Sequence, residues 1–111
     1  MKKLFTNYNF EFNKNEKKLL TTFCNQTLKQ VQGDNRYYAE ERAFNSIVNK
    51  LNNNSETIKL TKEERNKLLN QLQNNTKYLK EKTEKSWFLK KWLYRSMLTQ
   101  YEDIINNHFK N

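Results

Sequence analysis

Apolar side chains return every three or four residues through most of this chain, and that spacing narrows the fold more than any other feature. Thr61-Lys62-Glu63-Glu64 opens the clearest such run. A threonine followed three residues later by glutamate is a capping box, in which two side chains satisfy two otherwise free backbone donors. Leu68, Leu69, Leu72, Thr76 and Leu79 then fall on one helical face. Asn13-Lys14-Asn15-Glu16 repeats the cap-to-glutamate spacing ahead of Leu19, Leu20, Phe23, Cys24, Thr27, Leu28 and Val31. Gly33, the only glycine, stands just past that face, where a helix end favours a residue tolerant of positive φ. Asp34 or Asn35 can cap a further helix whose apolar face is Tyr37, Tyr38, Phe44, Ile47, Val48 and Leu51.

The first twelve residues follow a different period. Leu4, Thr6, Tyr8, Phe10 and Phe12 alternate with Phe5, Asn7, Asn9 and Glu11, as in a strand or extended arm. Ile58-Lys59-Leu60 is the one other candidate strand, so a two-stranded pairing and an arm packed on helices are both open. Between Lys80 and Ser86 the chain has no large apolar side chain, and Ser86 can cap a last helix reaching about His108. The stripe nevertheless stays in phase from Leu72 to Ile104, so one long helix over 62–108 is also allowed; the break is favoured. The expectation is a mainly α fold: a small bundle of three or four helices near 15–32, 35–51, 62–82 and 87–108, with an extended or short β segment over 1–12. At 111 residues, with no Pro- or Ser-rich linker, it reads as one domain.

Composition limits the chemistry. One His and one Cys, Cys24 and His108, cannot make the usual structural zinc site, and one glycine cannot make a phosphate-cradling loop. Cys24 lies on an apolar face and reads as a small buried hydrophobe. Glu40-Glu41 and Glu63-Glu64 stand in first helical turns, where the helix dipole accounts for them. An enzyme is not expected, nor a cofactor or metal. A helix-turn-helix around Gly33 would expose Arg36-Tyr37-Tyr38, but Lys29 occupies a position where that motif wants a small apolar residue, so an ordinary helix hairpin is the better reading. The start of the chain, with Lys2 and Lys3 but no apolar core segment, has no secretory signal, and no run suits a membrane span. A cytoplasmic protein is expected.

The formal charge of +9 points to an anionic partner. Eighteen Asn and seventeen Lys against four Arg suggest AT-rich codons, and so a low-GC bacterium or one of its phages or plasmids; charge position therefore says more than charge total. Lys77 to Arg95 carries seven cations and two acids, and residues 1–18 five and two. Within the first of these segments lies WFLKKWLYR, residues 87–95. Projected on a helix, Trp87, Leu93, Tyr94, Met97, Leu98, Tyr101, Ile104 and Ile105 occupy a core sector of about 140°. Phe88 and Trp92 fall opposite, beside Arg95 and Lys91, while Lys90 lies at the core side near the helix start.

That second face either packs on Tyr8, Phe10 and Phe12 or meets a partner. The candidate contact residues are Lys80, Lys82, Lys85, Phe88, Lys90, Lys91, Trp92 and Arg95. Two functions fit them. One is a basic helical protein contacting nucleic acid, or a nucleic-acid-binding protein or nucleoprotein machine, through a Lys/aromatic surface. The other is a protein–protein inhibitor or immunity factor of a phage or other mobile element, such as an anti-defence protein, docking on an acidic protein surface of a host enzyme. A membrane-surface helix ranks third. Oligomeric state is not legible.

Overall fold

The computed structural model describes residues 8–53, 55–85 and 88–110, with the backbone alone at 88 and 89. Leu4, Thr6, the Ser86 cap, Trp87 and the Phe88 side chain therefore lie outside the described residues. The fold is mainly α: four helices and one short two-stranded antiparallel sheet. Its elements are β1 (Tyr8–Phe10), α1 (Lys14–Val31), a 3₁₀ turn (Asn35–Tyr37), α2 (Tyr38–Leu51), β2 (Ile58–Leu60), α3 (Lys62–Lys85) and α4 (Phe88–Ile104). A π-helical turn, Ile105–Phe109, follows α4. Two compact units divide the chain, Met1–Lys67 and Leu68–Asn111, with the boundary inside α3.

Both helix starts read from the sequence are built as capping boxes. The Glu16 N–H donates to Asn13 Oδ1 at 2.8 Å and the Asn13 N–H donates to Glu16 Oε1 at 2.9 Å. At α3 the Glu64 N–H reaches Thr61 Oγ1 at 3.1 Å and the Thr61 N–H reaches Glu64 Oε1 at 2.9 Å. Glu64 does more than cap: its Oε1 also accepts from Lys50 Nζ at 2.6 Å, which ties the end of α2 to the start of α3. Lys67 Nζ donates to Glu40 Oε2 at 2.8 Å and ties the other end of α2 to the same helix.

The first unit has the hairpin that its spacing implies. α1 ends after Val31, and Gly33 turns the chain at φ +79°, a backbone state that suits glycine. Asp34 then accepts from the Arg36 N–H at 3.0 Å and starts the 3₁₀ turn. α1 and α2 lie side by side, and their buried residues recur at helical spacing: Leu20, Phe23, Cys24, Thr27 and Val31 on one, Ala43, Phe44, Ile47 and Leu51 on the other. The open question about the N-terminal segment resolves as pairing. β1 runs antiparallel to β2 with Tyr8 opposite Leu60, Asn9 opposite Lys59 and Phe10 opposite Ile58. Ile58, Leu60, Phe10 and Phe12 are buried and Asn9 and Lys59 exposed, so alternation sets the inner face. Phe10 and Phe12 stack at 5.3 Å.

In the second unit the chain reverses between Lys80 and Glu102, whose side chains stand 3.5 Å apart, so α3 and α4 are not one straight helix. Leu68, Leu72, Leu79 and Thr83 form the buried line of α3. α4 departs from the expected core sector. Among its described side chains those at its end are buried, Tyr101 and Ile104, continued by Ile105 and Phe109 in the π turn. From Lys90 to Gln100 no residue is buried, and Leu93, expected to face inward, is 51% exposed. The reason is compositional. The last turns of α3, Lys80 to Lys85, offer no large apolar side chain on which the start of α4 could close.

Candidate nucleic-acid interface

The candidate residues flank the junction of α3 and α4. Lys80, Lys82 and Lys85 lie in the last two turns of α3; Phe88, Lys90, Lys91, Trp92 and Arg95 lie in the first turns of α4. They are not equivalent. Lys80 lies on the opposite side of the Leu79–Thr83 buried line from Lys82, and its Nζ stands 3.5 Å from Glu102 of α4. That pair matches its charge within the unit. Lys82 and Lys85 follow Tyr78 at i+4 and i+7, on one flank of α3. The Lys82 ammonium sits 5.5 Å from the Tyr78 ring centroid, a cation–π contact. Tyr78 is 54% exposed, so this flank carries an open ring beside two cations and Glu81. Its sequence signal is Tyr-x-x-x-Lys inside a lysine-rich helix end.

On α4, Trp92 falls about 180° from the buried Tyr101 when residues advance by 100° each. It is 74% exposed, the most open of the large apolar residues described. Lys90 and Arg95 are exposed and Lys91 half-buried. No acidic residue occurs between Glu84 and Glu102, an interval that holds Lys85, Lys90, Lys91 and Arg95. Among the described residues none of these four cations makes an ion pair.

In the first unit three carboxylates have cation partners. Glu40 and Glu64 hold Lys67 and Lys50, and Asp34 holds Arg36 at 2.8 Å. The Lys67 hydrogen bond lowers the Glu40 carboxyl, and the Arg36 guanidinium lowers that of Asp34. Burial pushes Glu64 up, but hydrogen bonds from Lys50, Ser46 and the Thr61 backbone outweigh it and leave the carboxyl below its ordinary range. The second exposed aromatic group, Tyr37 and Tyr38, has Arg36 and Arg42 over its rings at 5.5 and 5.8 Å. A cleft beside Tyr38 and Arg42 is also lined by Glu63 and Glu64. With Asp34, Glu40 and Glu41 nearby in sequence, this corner has a mixed field, unlike the start of α4.

Cys24 is fully buried, and burial pushes its thiol up to about 12. At neutral pH it is a protonated, inert side chain. Among the described residues no group of His, Cys, Asp and Glu is placed to hold a metal ion, and no helix is long and apolar enough to cross a membrane. Comparison with protein-family models, curated proteins and solved structures gives no match.

Proposed function

We propose that this chain is a small non-enzymatic binding protein that contacts the phosphate backbone of nucleic acid through the basic aromatic surface at the start of α4. One observation carries the reading: an acid-free stretch of chain holds a tryptophan that is 74% exposed and four cations, Lys85, Lys90, Lys91 and Arg95, that make no ion pair among the described residues. Elsewhere, carboxylates take up Lys50, Lys67, Lys80 and Arg36. Unmatched cations set on rigid helix favour a polyanion, whose binding releases condensed counterions. Lysine outnumbers arginine seventeen to four, which favours backbone contact over guanine reading.

The test is charge reversal at Lys90, Lys91 and Arg95 to Glu, with affinity for a labelled polynucleotide followed across salt concentration. Binding should be lost while helicity is retained. For the wild type the log–log salt slope should rise by about 0.9 per neutralised phosphate on duplex DNA, or about 0.7 on a single strand. A flat salt response, or unchanged affinity in the triple variant, would refute the reading. Capture of a host protein that survives nuclease treatment would support the inhibitor reading in its place, with Trp92 as its anchor.

A further inference from the structure

We infer that the ligand of this surface is a single strand, held by stacking of unpaired bases on Trp92 and Tyr78 as well as by its phosphates. The inference rests on the nucleic-acid reading above and narrows it to one substrate class.

Cations alone would suffice for a duplex. A double helix shows phosphates outward and hides the faces of its bases, so an open indole has nothing to stack on there. Trp92 is nonetheless placed about 180° from the buried line of its own helix, 74% exposed, on the same turns as Lys91 and Arg95. Tyr78, on α3, is a second open ring: it is 54% exposed with Lys82 5.5 Å from its centroid and Lys85 one turn further on, although Glu81 shares its flank. Both rings belong to the second unit, and around Trp92 the interval from Lys85 to Tyr101 contains no carboxylate to repel a backbone. Cations beside open rings are what a flexible strand needs, since each nucleotide brings one phosphate and one apolar face. Every base has such a face, so little sequence preference is expected.

The experiment uses the full chain and two fluorescein-labelled probes, an oligothymidylate of about 16 nucleotides and a mixed-sequence duplex of equal length, measured by anisotropy at matched salt. The single strand should bind more tightly. Trp92→Ala should weaken it about tenfold, as loss of one stacked base does, and weaken duplex binding far less. Trp92→Tyr should restore most of the loss, and the oligothymidylate should quench a tryptophan emission component that is absent from Trp92→Leu. Tyr78→Ala should show the same selectivity. Equal affinity for both probes, with Trp92→Ala and Tyr78→Ala indifferent, would overturn stacking and leave the phosphate reading standing. Binding of neither probe would overturn both.

Discussion

Trp92 and Cys24 show opposite fates of side chains that the sequence sets on helical faces. Trp92 is open, so Trp92→Ala should change stability by no more than about 0.5 kcal/mol in a denaturant melt, whatever it does to binding. Cys24 is enclosed with Leu20 and Phe23 also buried on its face, and its thiol is held protonated by burial. Its reaction with a thiol reagent in the native state should be far slower than in denaturant; equal rates would show that the α1 face opens. Glu64 gathers a cap, a salt bridge and burial in one carboxylate. Glu64→Gln should lower stability at neutral pH by about 1–3 kcal/mol, since a buried charge-assisted network loses its anion. Because its folded-state carboxyl lies below the ordinary value of 4.5, its contribution is present above that value and is lost as pH falls through the folded one. Wild-type melts should therefore lose stability more steeply than those of Glu64→Gln on acidification from about pH 5 to pH 3.

At the scale of elements, what the chain needs from its local sequence is punctuation. Asn13 and Thr61 start α1 and α3, and each forms both bonds of its box. Asn13→Ala and Thr61→Ala should each cost about 1 kcal/mol by thermal or chemical melt. Thr61→Ala should be the more costly, because it disturbs the carboxylate that also holds Lys50. Gly33 has open space around its missing Cβ, so a substitution there meets no clash. Its φ of +79° alone should make Gly33→Ala destabilising by about 1 kcal/mol or more. β1 and β2 could not be paired from sequence alone, as alternation marks a strand but not its neighbour. Their register became readable only once Phe10 and Phe12 stacked on an inner face shared with Ile58 and Leu60.

For the molecule as a whole, charge placement matters more than the total of +9. The first unit matches Lys50, Lys67 and Arg36 with Glu64, Glu40 and Asp34. The second matches Lys80 with Glu102 but, among the described residues, none of the four cations from Lys85 to Arg95. Any polyanion binding should therefore be sensitive to reversal at Lys90, Lys91 and Arg95 and nearly indifferent to reversal at Lys50 or Lys67. The latter two variants should instead register in stability, since each leaves a carboxylate unpaired. Melts and anisotropy on the same five variants separate the two effects.

Helical class, both capping boxes, the glycine turn, the α1 face and the α2 face from Phe44 onward were legible in the residues, because each depends on neighbours within one or two turns; Tyr37 and Tyr38, read as part of that face, are exposed. Helical spacing also marked Trp92 as lying off the core face. It could not tell which turns of α4 would be covered, and Leu93, Met97 and Leu98 looked as internal as Ile104. That depended on what the rest of the fold offers to each turn. The polar end of α3 offers nothing apolar to the start of α4, while Tyr101, Ile104, Ile105 and Phe109 are enclosed. The pairing of Lys80 with Glu102 was equally hidden, as twenty-two residues of sequence separate its partners. Periodicity is a property of the chain; burial is a property of its surroundings, and only tertiary structure supplies those.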